Sequence, residues 1–275
     1  MPRLDLMIQV PGGQLHAVVD GDGPPVVLLH AGIADLRAWD AMVPPLVDAG
    51  LRVIRFDMRG LGSSRTDDVE FARYRDALAV MDAMGVGRAA LVGNSIGGMT
   101  ALDLALEAPE RVVALVLVAS GIGGFDGGDT ADEIAVGTAM EAADAAGDGD
   151  LLNELEIQFW VDGMGQPTTR VDPSIRRLML EMNRPTCDAD HIGGRPIALD
   201  PPANDRLGSV SVPTLAIGGA LDASSQQATL VRIASALPGA RTMTVPGAAH
   251  MVGMEQPETL ARLVLEHIRP LLPWS

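Results

Sequence analysis

Leu91-Val92-Gly93-Asn94-Ser95-Ile96-Gly97-Gly98 is the stretch whose reading decides the fold. The apolar run Ala89 to Val92 reads as a buried strand, and Met99 to Leu106 carries helix formers with one apolar face. Strand, tight Gly-x-Ser-x-Gly turn and helix together form the context of a nucleophile elbow. Gly93 and Gly97 permit the sharp turn, and Gly98 lets the new helix approach its neighbours. Ser95 then stands at the tip, beside a helix N-terminus that favours developing negative charge. The five-residue pattern alone also fits an incidental Ser in a strand-to-helix turn, so the rest of the chain must decide.

Working outward, Leu6 to Val10 and Gln14 to Val19 read as an antiparallel hairpin around Pro11-Gly12-Gly13. Val26 to Leu29 and Leu51 to Phe56 read as strands, the first buried on both faces. Trp39 to Ala49 has helical spacing that Pro44-Pro45 should kink or split. Phe71 to Met84 reads as a helix and Ala114 to Ala119 as a strand. Such alternation indicates a mostly parallel, doubly wound sheet with helices on both faces and sites beyond the carboxyl ends of its strands.

The alternation stops after Ser120. Ala131 to Ala146, Asp150 to Trp160 and Pro173 to Asn183 look helical, the last opened by Asp172 as N-cap. No sheet-quality strand is expected before Val212, so residues 122–205 read as a helical insertion. Strand Pro213–Ile217, helix Ser225–Leu237, strand Arg241–Val245 and helix Pro257–Ile268 then complete the sheet.

Composition narrows the function. Hydrophobic residues are 47% and charged residues 20% of the 275, a globular balance. There is no Lys, and the formal charge of −16 argues against nucleic-acid or anionic-membrane partners. The single Cys187 excludes an intrachain disulfide and a multi-Cys metal site. Asp144 to Asp150 lacks the ligand series of a calcium loop and reads as a solvated connection. Met1 to Val10 lacks the features of a signal peptide, and the longest apolar run, Val112 to Ala119, falls short of the roughly 20 residues of a membrane span. A cytoplasmic location is the expectation, and dimerisation is left open.

A serine hydroxyl needs a base, and the base an orienting acid. Of the five His, His250 follows the last strand on a loop at its carboxyl end, the best position for a base. His30, closing the third strand, competes but suits a structural role. Asp222 follows strand Pro213–Ile217 and fits the acid, with Asp126 as competitor and a helix N-cap as its plainer role. The chain order Ser95, Asp222, His250 is the order expected of this elbow.

These motifs together resemble the α/β-hydrolase superfamily nearly end to end. Besides the elbow, Leu28-Leu29-His30-Ala31-Gly32 is similar to its His-Gly turn, and Asp57-Met58-Arg59-Gly60-Leu61-Gly62-Ser63-Ser64 to its D-x-R-G-x-G-x-S turn. Val212 through Asp222 resembles the segment bearing the acid, and Gly247 to His250 with Glu255 and Pro257 the segment bearing the base. The resemblance implies an eight-stranded sheet, a core of residues 1–121 and 206–275, a helical cap at 122–205, and no cofactor. It implies Ser95 as nucleophile, His250 as base and then acid, Asp222 as orienter, and the amides of Ile96 and Gly32 as oxyanion donors. Ala31 departs from the usual Gly, which puts the second donor in question. Arg59 is expected to tie strand ends together.

The segment Phe159-Trp160-Val161-Asp162-Gly163 with Val171-Asp172-Pro173 is similar to hydrolases grouped with the enol-lactonases of 3-oxoadipate degradation. Asn94 is similar to the Gly-Asn-Ser-x-Gly-Gly of carbon–carbon bond hydrolases of aromatic meta-cleavage. Trp160, Met164, Met179, Met182 and Met251 are candidate pocket residues. Arg170, Arg176, Arg177, Arg184 and Arg195 are candidates to hold a substrate carboxylate. The expectation is a serine hydrolase acting on a small ester or lactone through an acyl-enzyme. Its rivals are cleavage of a meta-cleavage-type diketone, a haloperoxidase-like side activity, and a non-catalytic ligand-binding member of the fold.

Overall fold

In the computed structural model, which describes residues 3–272, the sheet is organised by strands whose alternate residues face two different apolar layers. Ala89 and Leu91 join one layer, while Ala90 and Val92 join the other. Val27 and Leu29 likewise separate from Val26 and Leu28. That period of two, apolar on both phases, is what an unbroken hydrophobic run encodes when helices cover both faces.

The strands are β1 (Leu4–Val10), β2 (Gly13–Asp20), β3 (Pro25–Leu29), β4 (Arg52–Phe56), β5 (Arg65–Thr66), β6 (Glu70–Phe71), β7 (Ala89–Asn94), β8 (Val112–Val118), β9 (Arg195–Pro196), β10 (Thr214–Gly219) and β11 (Arg241–Val245). The helices are α1 (Val43–Asp48), α2 (Arg73–Ala83), α3 (Ile96–Glu107), α4 (Ala131–Ala145), α5 (Gly149–Ile157), α6 (Pro173–Asn183), α7 (Ala203–Arg206), α8 (Ser224–Ala236), α9 (Val252–Glu255) and α10 (Pro257–Ile268). Eight strands run in the order β1-β2-β4-β3-β7-β8-β10-β11, with the short β5 added beside β2. From β4 to β11 neighbouring strands are parallel, and the β1–β2 hairpin is antiparallel. This is the α/β-hydrolase fold.

Three local expectations change. Trp39 to Ala49 is split: a 3-10 turn covers Leu36–Met42, and Pro44-Pro45 fall in the first turn of α1, where a missing N–H costs nothing. Residues 122–205 do contain a strand, because β9 pairs with β6, although both are only two residues long. Ile122 and Ala203, near the two ends of that segment, pack in the α2–α3 layer of the core.

Helices α4 to α6 lie between β8 and the return to β10. A third apolar cluster seats them: Ile157, Val161, Val171, Met179 and Met182 pack with Ala31, Ala34, Met251 and Met254. A polar tie supplements it. Thr130 and Glu133 form a capping box on α4, and Glu133 also accepts from the Ser224 amide at 2.7 Å and from its hydroxyl.

Candidate active site

The carboxyl ends of β3, β7, β10 and β11 deliver His30–Gly32, Ser95, Asp222 and His250 to one edge of the sheet. Ser95 has φ +57° and ψ −120°, a strained backbone for a residue with a Cβ. The turn closes because Gly97 has no Cβ: one there would lie 2.2 Å from the Leu29 carbonyl oxygen and 2.6 Å from that of His30. Ser95 is therefore held at the tip by contact between the elbow and the end of β3.

Asp222 and His250 come together. His250 Nδ1 lies 2.9 Å from Asp222 Oδ2 and 3.1 Å from Oδ1, with both side chains almost fully buried. Asp222 also accepts from the adjacent Ala223 amide at 2.8 Å, but Ala223 and not Asp222 is the N-cap of α8, so its plainer role as a helix cap is not the one it takes. Gly219 permits the approach of the two loops, since a Cβ there would meet the Ala249 carbonyl at 2.0 Å. Nδ1 being occupied, Nε2 faces elsewhere as a free acceptor. Among the described residues no hydrogen bond joins it to Ser95, and the Ser95 turn is tied to the His250 loop through Asn94. Its Nδ2 donates to the carbonyls of Val118 and His250, both at 3.2 Å.

The loop that carries His250 is held from both sides. Glu255 accepts from the Ala249 amide at 2.9 Å. Arg170 pairs with Glu255 at 2.6 Å and donates to the carbonyls of Gly247, Val161 and Asp162. Burial raises the Glu255 pKa, partly offset by Arg170. Trp160, on a wide turn at Gln158–Asp162, accepts from the His250 amide through its carbonyl at 3.2 Å and lays its ring 4.5 Å from the imidazole.

The backbone amides of Ile96 and Gly32 have no protein acceptor among the described residues, nor do those of Gly97 and Gly98 in the first turn of α3. The Ile96 side chain lies 3.3 Å from the position a Gly32 Cβ would take, so the two loops are in contact. Neither Ala31 nor Gly32 has positive φ, so the Ala in place of Gly leaves this turn unstrained. A cavity of about 260 Å³ opens here, lined by Gly32, Ile96, Met58, Phe71, Arg73 and His191 among others.

A profile described as the alpha/beta hydrolase fold matches residues 24–152. Over nearly the whole chain the sequence is similar to rhodomycin D methylesterase DauP of Streptomyces sp. (strain C5), at 28% identity across 92% of this chain and 94% of that one. The chain has the α/β-hydrolase fold. Other similarities of the hydrolase spread over more than one chemistry. One is to 2-hydroxy-6-oxo-6-phenylhexa-2,4-dienoate hydrolase of Comamonas testosteroni, 39% identical over 39% of this chain and only 40% of that relative. Another is to the solved structure of Est816, described as an N-acyl homoserine lactone degrading enzyme: TM-score 0.74, 25% identity, covering 95% of this chain and 99% of that one.

The remaining sequence candidates in this hydrolase separate by their partners. His30 is fully buried, its Nδ1 donating to the Ala31 carbonyl at 2.8 Å and its Nε2 accepting from the Met58 amide at 2.9 Å. Burial pushes its pKa down, so it is a neutral structural residue. Asp126 is exposed and caps the Gly128 amide, away from any His. Arg59 ties the Pro11 carbonyl to Asp76 through a bidentate pair, as expected of a structural residue.

The five arginines of residues 122–205 do not offer a free inward guanidinium. Arg170 is taken up as above, and Arg176 pairs with Asp162 and Glu154. Arg184 and Arg195 pair with exposed carboxylates, and Arg177 is exposed. Met251, Met179 and Met182 pack in the cluster beneath the helices, and Met164 is not among the residues lining the cavity at Gly32. Sequence reasoning missed Arg73, because the first residue of a helix carries no periodic signal of what faces it.

Proposed function

We propose that this hydrolase cleaves small esters or lactones through an acyl-enzyme. The observation that carries the reading is the Asp222–His250 pair, tied through Asn94 to the strand end on which Ser95 is held in a strained conformation. Ser95 Oγ attacks the carbonyl carbon while His250 Nε2 takes its proton, and Asp222 stabilises the imidazolium. The unpaired amides of Ile96 and Gly32 hold the oxyanion. His250 then gives the proton to the leaving alkoxide; water, deprotonated by the same nitrogen, releases the acid. Helices α4 to α6 act as the cap over this edge, with the Trp160 ring tilted 45° against the imidazole of the base. No step in this scheme calls for a cofactor.

Ser95→Ala is expected to abolish hydrolysis of short p-nitrophenyl esters while leaving the circular dichroism spectrum and melting temperature near those of the wild type. Undiminished turnover in that variant would remove Ser95 from the mechanism. The similarity to a dienoate hydrolase and the presence of Asn94 favour a second reading, cleavage of a carbon–carbon bond in a dienol diketone. Against it, both hydrogen atoms of the Asn94 amide are engaged by backbone carbonyls. A higher kcat/KM for a dienol diketone than for any simple ester or lactone would select it.

A further inference from the structure

Arginines in this protein that are withdrawn from solvent have hydrogen-bonded partners, with one exception. Arg55 reaches Asp20, Asp40 and the Leu36 carbonyl, Arg59 reaches Asp76, and Arg170 and Arg176 are taken up within the cap. Among the described residues, Arg3, Arg177 and Arg241 also lack a hydrogen-bonded partner, but they are exposed and solvated. Arg73 is partly buried and makes no hydrogen bond or ion pair. Burial lowers its pKa, and Asp103 is the one carboxylate that acts to raise it. Asp103 is itself pushed up to about 6, burial outweighing the attraction of Arg73. A guanidinium held away from water without a partner is unfavourable unless something completes it.

Arg73 lines the same cavity as Gly32 and Ile96, whose amides are unpaired. His191, reaching this wall from the segment after α6, has an imidazole with no hydrogen bond among the described residues. Phe71, Met58 and Leu61 supply apolar wall, and the mutually paired Arg59 and Asp76 also border the cavity. The cavity thus holds both predicted oxyanion donors together with Arg73, whose charge no partner takes up. The chain's net charge of −16 offers no general attraction to an anion, so recognition has to be local.

We propose that Arg73 receives the carboxylate of the substrate, making this a hydrolase of anionic esters or lactones: molecules with a free carboxylate a few carbons from the scissile carbonyl. This rests on the acyl-transfer reading above. Arg73 fits the role because a planar guanidinium grips a carboxylate bidentately, and because Asp103 is too far for a salt bridge to compete.

The test compares mono-(p-nitrophenyl) glutarate with p-nitrophenyl pentanoate, of similar length but neutral. In Arg73→Gln the ratio of their kcat/KM values should fall on the order of tenfold, through KM of the anionic ester. Arg73→Lys should recover part of the loss. Asp103→Asn, which removes a rival anion, should leave the ratio unchanged or raise it. If Arg73 serves only as a buried counter-charge to Asp103, Arg73→Gln and Asp103→Asn will destabilise the fold alike and neither will move the ratio, which overturns the proposal. A second arm needs no turnover: calorimetric titration with glutarate should show binding to the wild type that is at least tenfold weaker in Arg73→Gln. Equal glutarate affinity in the two proteins also overturns it. Wild-type protein that binds glutarate but cleaves neither ester would sink the acyl-transfer reading while leaving the Arg73 site standing.

Discussion

Glu133→Gln is the perturbation whose size the structure specifies best. Burial acts to raise the pKa of Glu133, but hydrogen bonds from the Ser224 hydroxyl and amide and from Thr130 outweigh it and bring it down to about 2. Compared with an ordinary value near 4.5, that difference corresponds to about 3 kcal/mol of folding stability once the carboxylate is ionised in both states. The sign follows from a lowered acid pKa. The contribution is complete above the unfolded value and is lost as pH falls through the folded one. At pH 6 it is whole; at pH 3 the unfolded chain has already bound its proton, and about 1 kcal/mol remains. In Glu133→Gln the amide nitrogen must face one of the backbone N–H donors of Thr130 or Ser224, so either the capping box or the tie from α4 to the start of α8 is lost, and the charge that strengthens both is gone. Urea unfolding of both proteins at pH 6 and pH 3 measures the gap directly. It should narrow from about 3 to about 1 kcal/mol. A gap that is the same at both pH values, or no gap, would refute the account. Because Ser224 lies two residues beyond Asp222, turnover at pH 7 should fall with the weakened tie.

Gly97→Ala should cost about 3 kcal/mol or more, because its Cβ would collide with the backbone carbonyls of Leu29 and His30, neither of which can rotate away; a melting temperature equal to the wild type's would contradict the elbow packing. Asn94→Ala should cost about 1–3 kcal/mol by leaving the buried His250 carbonyl without its donor. It should not change the preference between esters and a dienol diketone. A switch in that preference would mean that Asn94 acts on the substrate rather than on the backbone.

Much of the framework follows from one-dimensional pattern. Strand Arg241–Val245 and helices Pro173–Asn183 and Pro257–Ile268 fall at the residues expected from alternation, an Asp N-cap and Pro in the first turn. That Asp222 and His250 should meet was expected from strand ends and chain order, and the structure brings His250 Nδ1 to 2.9 Å from Asp222 Oδ2. The split at Pro44-Pro45 was half legible: two prolines forbid a continuous helix, but not which side keeps the α-turns.

Partner choice is where local reading stops. Five arginines between residues 122 and 205 look alike in sequence, yet Arg170 is drawn onto Glu255 and the Gly247 carbonyl, and Arg176 onto Asp162 and Glu154. Met251 sits one residue from His250 and still points into the apolar cluster beneath the helices. A charged head or thioether goes wherever the nearest acceptor or gap is, and those lie on other turns and segments, from 14 residues away for Arg176 and Asp162 to 77 for Arg170 and Gly247. Sequence determined the layered sheet and the order of its polar strand ends through hydrophobic period and turn chemistry. Only the tertiary structure decided which arginine stays unpaired, because that depends on what the rest of the chain has already neutralised.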